Sequence, residues 1–380
     1  MNYLICDLNI QQKGHYIGYN QYIINGISEF NDSTSSRVYS FLYNKEAKEH
    51  LEFPDSIENK VHFLDDNCWK NLSLKEKIIL FKKVVSVANE LKTDHLIFMD
   101  LDQYQAPIFL TVFSFKLSGI LFRPHHRITY SSNTFSSKIS SRIQRAKKIF
   151  AEKLLVSKKQ VENIYILNDE EGVSILNKHH HTNQFKYLLD PIFSYPSALK
   201  TTKESGVFRF LIFGSINERK NITAIINAYE ATDFNIATEL FIVGSAEATY
   251  VAYLNNLIAD LKTINDYKRI IVKAGFVTNE EMDNYFDSSD VCLLIYKDFY
   301  GSSGLLGRAS LHKKKVVGAN VGLLKELIEQ NKLGITCDPK SEVEISKALN
   351  TIVELNFKAQ DFESFYQKYS PENFLKTLLQ

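Results

Sequence analysis

The sequence has little of what marks secreted, disulfide-linked or membrane-spanning proteins. Four cysteines occur in 380 residues, at Cys6, Cys68, Cys292 and Cys337, and they show neither metal-ligand nor redox spacing. Three of them sit in apolar runs, so we expect buried free thiols in a reducing compartment. No stretch approaches the ~20 consecutive apolar residues that a spanning helix needs. The first ten residues, MNYLICDLNI, lack the charged region and cleavage site of a signal peptide, which indicates a cytoplasmic protein.

An overall excess of charge of one sign is also missing. The 45 Lys and Arg residues nearly balance the 44 Asp and Glu residues, so the formal net charge of +1 offers no global steering toward nucleic acid or membrane. What is present is a globular composition, with 44% hydrophobic and 23% charged residues. A chain of 380 residues is long for one core, and its 26 Phe and 20 Tyr are enough for two domains.

Short apolar runs alternate with helix-length amphipathic segments, which predicts an α/β protein with parallel sheets and helices on both faces. The helix pattern from Ser73 to Leu91 begins with a capping box of Ser73 and Glu76. Seven strands are expected in the first half, at Tyr3–Asp7, Val38–Tyr43, Val61–Leu64, His95–Met99, Gly119–Phe122, Asn163–Leu167 and Lys186–Leu189. Six are expected in the second half, at Phe208–Phe213, Glu239–Val243, Ile270–Phe276, Val291–Tyr296, Lys315–Gly318 and Gly334–Cys337.

A linker divides the alternating pattern. The residues from Asp190 to Gly206 include two prolines and several Ser and Thr residues, and they have no apolar period. We therefore expect two Rossmann-like domains, at residues 1–190 and 207–358, joined by a linker at 191–206. In such sheets ligands bind beyond the carboxyl ends of the strands, so the cleft between the domains is the expected active site.

A turn of small and basic residues follows the first strand of the second domain. Phe213 leads into Gly214 and Ser215, and Arg219 and Lys220 then precede a helix. The small residues let the backbone turn tightly, and the two cations stand beside a helix N-terminus. Such a turn can hold a diphosphate, and a solvated basic first turn is the alternative interpretation.

A second loop of small residues follows the strand Val291–Tyr296. It contains Ser302, Ser303 and Gly304 and leads into a helix. Small residues at a strand-to-helix junction form an anion-binding nest, to which the two hydroxyls can add donors. Because both loops follow strands of one expected sheet, they open on the same edge. Two such loops in one domain are better explained by binding of a phosphorylated ligand than by chance.

With these motifs the second half of the sequence resembles glycosyltransferase family 4, a large retaining family with the GT-B fold. The Gly214 turn and the segment Arg219-Lys220-Asn221 are similar to the family's phosphate-binding segment, and the resemblance implies that Lys220 contacts the donor diphosphate. The family's loop against the nucleotide base is matched by Gly275, Phe276 and Val277. The resemblance also implies that helices at 359–380 return to the first domain.

Two positions depart from the family pattern. The family usually carries two Glu residues around its glycine-rich nucleotide-sugar loop, and Tyr300 and Arg308 stand in their places here. The stretch Ser303-Gly304-Leu305-Leu306 is similar instead to the Ser-Gly-Val-Leu loop of a related subgroup. We therefore expect Tyr300 and Leu305 at the donor, and Arg308 to supply positive charge near the diphosphate.

A glycine-containing segment follows the first strand of the first domain. It runs from Gln11 to Gly18 and includes Gly14 and His15. The segment looks like the glycine-rich loop that GT-B enzymes bring over the donor phosphates and the acceptor. A surface turn is the alternative interpretation.

Acidic and imidazole side chains follow two later strands of this domain. Asp100 and Asp102 come directly after His95–Met99, and His125 comes after Gly119–Phe122. These side chains are candidates for orienting the acceptor hydroxyl or for taking its proton, because imidazole titrates near neutral pH. An Asp-X-Asp pair also holds the metal of the other glycosyltransferase fold, but nothing else in the chain is arranged like that fold. We therefore expect no metal, and the triplet His179-His180-His181 is expected to be a solvated turn.

Basic residues are concentrated from Lys116 to Lys159. This segment has eleven Lys and Arg residues and one acid, Glu152. Within it, an amphipathic basic helix is indicated by Arg142, Arg145 and Lys153 with Ile139, Ile143 and Phe150 between them. The pattern suits an anionic membrane surface that carries a lipid-linked acceptor, and an ordinary solvated helix face is the alternative. No nucleic-acid recognition motif accompanies it.

The sequence thus predicts a cytoplasmic glycosyltransferase, peripheral to the membrane. It would move a sugar from a nucleotide-diphosphate sugar to a hydroxyl of a saccharide or lipid-linked saccharide, in surface polysaccharide or glycan synthesis. The family resemblance implies retention of configuration, with the nucleotide sugar as co-substrate and no other cofactor. Two rival hypotheses stay open, namely a sugar-nucleotide epimerase of the same fold and a non-catalytic subunit that binds nucleotide sugars.

Overall fold

The computed structural model describes residues 1–10, 16–30, 37–64, 72–127, 135–194, 206–262, 264–265, 267–299 and 301–379, without the side chains of 29–30 and 135–138. Two compact units divide the chain. The first comprises Met1–Leu189 together with Pro371–Gln380, and the second comprises Asp190–Ser370. Within the described ranges, no helix combines the length and the apolar character needed to cross a membrane.

The first unit is built on a seven-stranded parallel sheet. Its strands are β1 (Asn2–Asp7), β2 (Val38–Asn44), β3 (Val61–Leu64), β4 (His95–Phe98), β5 (Lys116–Ile120), β6 (Val161–Leu167) and β7 (Phe185–Leu188). They are ordered β3-β2-β1-β4-β5-β6-β7, and all neighbours run parallel. Leu4, Ile5 and Cys6 of β1 are fully buried, because a central strand of a parallel sheet is covered on both faces.

Helices connect these strands. They are α1 (Tyr16–Phe30), α2 (Asp55–Glu58), α3 (Leu74–Glu90), α4 (Gln105–Leu110), α5 (Phe135–Ser157) and α6 (Glu170–His180), with 3-10 helices at Lys45–Glu49 and His125–Arg127. The predicted capping box of α3 is confirmed, since Ser73 N donates to Glu76 Oε2 at 2.7 Å and Glu76 N donates to Ser73 Oγ at 3.3 Å. Phe81 and Val84 of α3 pack into the core of this unit.

The second unit has a six-stranded parallel sheet. Its strands are β8 (Phe208–Phe213), β9 (Thr238–Gly244), β10 (Lys268–Ala274), β11 (Val291–Leu294), β12 (Lys315–Ala319) and β13 (Gly334–Cys337), in the order β10-β9-β8-β11-β12-β13. Its helices are α7 (Ile222–Ala231), α8 (Ala248–Ala259), α9 (Asn279–Asp287), α10 (Gly304–Leu311), α11 (Gly322–Gln330), α12 (Glu342–Glu354) and α13 (Ala359–Lys368), with a 3-10 helix at Glu218–Lys220. Its core joins Phe210 and Ile212 of β8 to Ile225 of α7 and Ile345 of α12.

The last helix, α14 (Pro371–Leu378), belongs to the first unit, as the predicted return of the C-terminus requires. Tyr19 of α1 stacks on Phe374, with ring centroids 5.4 Å apart. A Cβ on Gly26 would lie 2.3 Å from Leu375 Cδ2, so the missing side chain lets α1 and α14 approach. Helix α13 packs on α10 in the second unit instead. The return expected for all of 359–380 therefore holds for α14 alone.

All thirteen predicted strands are present, and their bounds differ most at β5. This strand spans Lys116–Ile120 rather than Gly119–Phe122. Leu117 pairs with Val161 of β6 and is fully buried, whereas the Lys116 amine at the start of the strand reaches Glu162 at 2.6 Å. The start of β5 was predicted too late because a lysine interrupts the apolar pattern there. The backbone of Lys116 joins the sheet while its amine reaches the surface.

Candidate functional site

The strand order of the second unit creates a switch point between β8 and β11. The chain leaves β8 toward β9 and β10 on one side and later crosses to β11 on the other. Loops at the carboxyl ends of two such strands diverge and leave a crevice, which is where open α/β sheets bind ligands. The loops in question are 214–221 after β8 and 295–303 after β11. Both predicted phosphate loops therefore open at one sheet edge.

A polar network connects the two loops. Lys220 Nζ donates to Phe213 O at 2.7 Å and to the Tyr296 hydroxyl at 3.2 Å. The Tyr296 hydroxyl in turn lies 3.3 Å from Ser303 Oγ. Tyr296 is a residue that the sequence did not single out, because its place in an apolar run indicated only a strand. It now links the lysine of one loop to the serine of the other.

Lys220 is a buried cation with neutral partners. The residue is 6% exposed, and no carboxylate among the described residues forms an ion pair with its amine. Burial lowers the pKa of Lys220 from 10.5 to about 8. A buried amine of this kind either loses its proton or gains from a counter-charge. An anion bound beside Lys220 would supply that counter-charge.

The backbone around Lys220 adopts left-handed conformations. Gly214 has φ +100° and Ser303 has φ +60°. A Cβ on Gly214 would lie 3.4 Å from Lys220 Nζ and 3.9 Å from Leu305 Cδ1, so these two side chains border the space above the glycine. Ser303 is the N-cap of α10, yet its side chain makes no capping hydrogen bond. A helix N-terminus beginning at Gly304 without a side-chain cap is a favourable anion site.

Gly244 is a second glycine that the turn needs. It ends β9 with φ +141°, and a Cβ there would lie 2.0 Å from Gly214 O. Only glycine therefore lets the Gly214 turn pack against β9. Gly275 N also donates to Gly244 O at 2.9 Å, which brings the loop after β10 to the same place. A lone glycine at the end of a strand pattern was the sequence signal for Gly244.

Exposed side chains surround this buried centre. Arg219 and Ser215 are exposed. The Arg219 guanidinium lies 5.5 Å from the Phe299 ring centroid. Phe276 is 68% exposed beyond the end of β10, and Val277 beside it is half-buried. These positions offer a cation and an aromatic face at the same sheet edge as Lys220.

Two predicted donor-binding side chains have other partners. Ser302 is buried, and its hydroxyl donates its single hydrogen to Asp190 Oδ2 at 3.0 Å, so it has none left for a phosphate. Arg308 is buried in an ion pair with Asp283 at 3.1 Å. The same carboxylate oxygen, Asp283 Oδ1, also lies 3.1 Å from His312 Nε2. The expected role of Arg308 near a diphosphate stays a prediction, and in this structure its guanidinium forms an ion pair with Asp283 of α9.

The first unit has its own switch point, between β1 and β4. Asp7 ends β1 and Asp100 follows β4. Asn9 joins them, since its N donates to Asp7 Oδ1 and its Nδ2 to Asp100 Oδ2, both at 2.8 Å. Asn20 Nδ2 donates to the other oxygen of Asp7 at 2.6 Å. The sequence singled out Asp100 but not Asp7 or Asn9, whose only signal was polarity directly after an apolar strand.

Asp100 and Asp102 have different environments. Burial, together with the charge of Asp102, raises the pKa of Asp100 to about 7. The Tyr16 hydroxyl approaches Asp100 at 3.4 Å. The carboxylate of Asp102 instead accepts hydrogen bonds from Phe122 N at 2.7 Å and Lys148 Nζ at 3.0 Å. Both carboxylates thus have internal hydrogen-bond partners, and the raised pKa of Asp100 makes it the one suited to proton exchange near neutral pH.

His125 is buried rather than directed to solvent. It is 1% exposed, and its Nδ1 lies 2.5 Å from Glu152 Oε2. His180 Nε2 lies 3.0 Å from the same oxygen, and its side chain is only 4% exposed. The predicted solvated turn is wrong for His180, because α6 continues through this residue and brings it onto α5. Glu152 is 28 positions away, so the spacing of the histidine triplet gave no sign of this contact.

Asp169 anchors the residues that follow His125. Its carboxylate accepts from His126 Nε2 at 2.7 Å and from Arg127 NH2 at 2.6 Å. Burial alone would raise the pKa of Asp169, but these hydrogen bonds hold it well below its usual range. A Cβ on Gly172 would lie 2.3 Å from His126 Nε2, so this glycine makes room for the imidazole.

Some predictions fall outside the described residues. Gly14, His15 and Tyr300 are among these, as is Cys68. Gly18 lies in the first turns of α1 rather than in a loop. The other three cysteines are buried free thiols, as predicted.

The basic segment forms an exposed helix. In α5, Ile139 is 41% exposed, Ile143 is 50% exposed and Phe150 is 63% exposed. At 3.6 residues per turn these three side chains fall within about 40° of one face. Arg142, Arg145, Lys147 and Lys153 are exposed around them. The single acid of the segment, Glu152, is fully buried, so it adds no negative charge to this surface.

Comparison with known proteins agrees with this architecture. Residues 207–354 match the sequence model of the family described as glycosyl transferases group 1. No curated protein matches the chain significantly. Among solved structures, sucrose-phosphate synthase from Thermosynechococcus elongatus has a TM-score of 0.71 at 12% identity, over 100% of this chain and 97% of that one.

Two further structures resemble the chain over its length. WaaG, a glycosyltransferase involved in lipopolysaccharide biosynthesis, has a TM-score of 0.62 at 10% identity, covering 99% of both chains. HepE from Anabaena, in complex with UDP and glucose, has a TM-score of 0.58 at 16% identity, over 100% of this chain and 97% of that one. The two units and their parallel sheets define the GT-B fold. The second unit carries the sequence pattern of group 1 glycosyl transferases.

Proposed function

We propose that the protein is a glycosyltransferase that takes a sugar from a nucleotide-diphosphate sugar bound by its second unit. One observation carries the proposal, namely the buried amine of Lys220 with neutral partners at the switch point between β8 and β11. The family match over residues 207–354 supports it. The similar structure of HepE, which holds UDP and glucose, favours a uridine nucleotide as the donor base.

The donor diphosphate lies between Lys220 and the N-terminus of α10. Lys220, the α10 amides beyond Ser303 and the exposed Arg219 neutralise the charge that develops when the sugar leaves. Gly214 keeps the space beside the amine open. Phe276 lies against the base, as the resemblance to family 4 implies. Because these groups supply positive charge, we propose that neither a metal nor another cofactor is needed.

The acceptor is a hydroxyl of a saccharide or of a lipid-linked saccharide. Asp100 is the group in the first unit that best suits taking up its proton, since its pKa of about 7 lies near neutral pH. Asp102, which is fixed by Phe122 and Lys148, helps to hold Asp100 in this state through its charge. Retention of configuration is proposed on the resemblance to family 4, and a role in polysaccharide or glycan synthesis on the acceptor class.

A membrane carrying anionic lipid is the proposed partner of α5. The apolar stripe of Ile139, Ile143 and Phe150 is exposed and flanked on both sides by cations. A helix with this pattern lies in the interfacial plane of a bilayer, with its apolar side chains inserted and its cations at lipid phosphates. A second copy of the same helix would bring like charges together, so an anionic surface fits better than self-association.

Thermal unfolding against a panel of UDP-, GDP- and ADP-linked sugars tests donor binding. A ligand that binds the folded chain raises its unfolding temperature, so at least one donor should do so for the wild type. At the same donor concentration the shift should be smaller in Lys220→Met and unchanged in Lys347→Met, which alters an exposed lysine of α12. No shift with any donor would contradict the proposal. Donor binding without turnover would favour the non-catalytic subunit, and inversion at the sugar C2 would favour the epimerase.

A further inference from the structure

Three potential metal ligands converge in the first unit, in a cluster that the proposed donor and acceptor sites do not use. His125 offers Nδ1, Glu152 a carboxylate oxygen and His180 Nε2, and these atoms lie within 4.8 Å of one another. They come from the 3-10 helix His125–Arg127, from α5 and from α6. His125 and Glu152 are buried, and the side chain of His180 is nearly so.

We propose that His125, Glu152 and His180 bind one zinc ion. Two imidazole nitrogens and one carboxylate oxygen are ligands that zinc prefers, whereas calcium and magnesium prefer oxygen alone. The site is independent of the donor-binding residues of the second unit. Its chemical role is to cross-link these three elements.

Glu152 is already oriented as a ligand. Its Oε1 accepts from His125 N at 2.7 Å, which leaves Oε2 for the two imidazoles at 2.5 and 3.0 Å. A hydrogen bond to the second oxygen is the kind of outer contact that fixes metal-binding carboxylates. The carboxylate therefore presents one oxygen, Oε2, to both imidazole rings.

Zinc would occupy the place of the protons that bridge the cluster. Each ligand atom lies about 2 Å from a tetrahedral zinc, so neighbouring ligand atoms are about 3.3 Å apart. The two contacts to Oε2 would lengthen by less than about 1 Å, and the two imidazole nitrogens, which lie within 4.8 Å of each other, would adopt a similar spacing. Each imidazole would then keep its proton on the nitrogen that faces away from the metal.

His179 is a neighbour of the cluster that lies at the surface. This residue is exposed, and its ring centroid lies 4.7 Å from that of His125 and 4.8 Å from that of His180. An exposed imidazole therefore borders the cluster on one side.

The experiment uses the full chain without a histidine tag, stripped of metal by a chelator. Zinc affinity and stoichiometry are measured by competition with a chromophoric chelator, and cobalt(II) substitution reports the coordination geometry by visible absorption. The variants are Glu152→Gln and His180→Gln. The control is His181→Asn, which removes an exposed neighbouring histidine and keeps a residue that tolerates the left-handed φ of +52°. Far-UV circular dichroism checks that each variant folds.

We expect one zinc per chain, a higher unfolding temperature with zinc, and a tetrahedral cobalt spectrum in the wild type and in His181→Asn. Loss of a direct ligand should weaken zinc binding by more than the ~10-fold that loss of an outer hydrogen-bond partner costs. The proposal is overturned if the wild type binds no zinc, if His180→Gln binds it equally well, or if His181→Asn loses as much affinity. Should Glu152→Gln fail to fold, the wild-type spectrum and His180→Gln decide the matter.

Discussion

Replacing Lys220 by Met should separate donor binding from stability. The substitution keeps most of the aliphatic stem and removes the ammonium group. A shift of one in pKa corresponds to about 1.4 kcal/mol. The fall from 10.5 to about 8 therefore means that keeping the buried amine charged costs the folded state about 3 kcal/mol at pH 7.

The substitution also has a cost. Phe213 O loses the hydrogen bond from Nζ, and a buried carbonyl without a donor costs about 1–3 kcal/mol. The two effects nearly cancel, so Lys220→Met should unfold at pH 7 with a free energy within about 2 kcal/mol of the wild type. Donor affinity should fall by about 10- to 100-fold, because a hydrogen bond to a charged group contributes about 1.5–3 kcal/mol.

The pH dependence of stability gives the sharper test. The folded-state pKa of Lys220 lies below its unfolded value of 10.5, so the unfolded chain binds more protons between about pH 8 and pH 10. The wild type should therefore gain about 1.4 kcal/mol per pH unit relative to Lys220→Met across that window. Urea unfolding of both proteins at pH 7, 8, 9 and 10 measures the difference. A constant difference, or unchanged donor affinity in the variant, would refute the reasoning.

Three other outcomes are expected. Donor affinity of the wild type should fall by about tenfold per pH unit above pH 8, because the protonated Lys220 binds the anion, and calorimetric titration at pH 7 to 9.5 checks this. Gly214→Ala should abolish donor binding. The control Gly206→Ala meets similar backbone strain, at φ +84° with nothing within 4 Å of the added Cβ, so it should lose stability but keep donor binding. Equal donor affinity in the two variants would contradict this. The double variant Arg142→Glu with Lys153→Glu should bind phosphatidylserine vesicles at least about 30-fold more weakly, as measured by sedimentation. The control double variant Lys75→Glu with Lys82→Glu, in α3, should bind them as the wild type does.

The fold could be predicted almost completely from the sequence. Apolar runs of four to seven residues between amphipathic segments mark buried parallel strands, and this pattern depends on local sequence alone. The predicted start of β5 and the predicted placement of α13 were wrong, because both features depend on contacts with distant residues. Lys116 joins a strand by pairing with a neighbouring strand, and α13 is held by α10.

The candidate site could be predicted only in part. Glycines and cations directly after β8 and β11 indicated the phosphate loops, because parallel strands end at one edge. The partners of Ser302 and Arg308 could not be predicted, since Asp190 and Asp283 lie 112 and 25 positions away. The contact of His180 with Glu152 was missed for the same reason. Long-range ion pairs leave no periodic signal in the sequence.

Release of nucleoside diphosphate from a nucleotide sugar tests the central claim most directly. Purified wild-type protein, Lys220→Met and Lys347→Met are each incubated with the donor that raises the unfolding temperature, and the released diphosphate is measured by coupled assay. We expect slow release from the wild type, stimulated by a saccharide or lipid-linked acceptor, the same rate in Lys347→Met, and a loss of at least about tenfold in Lys220→Met. Equal release by wild type and Lys220→Met, or none from any protein with any acceptor, would contradict the account.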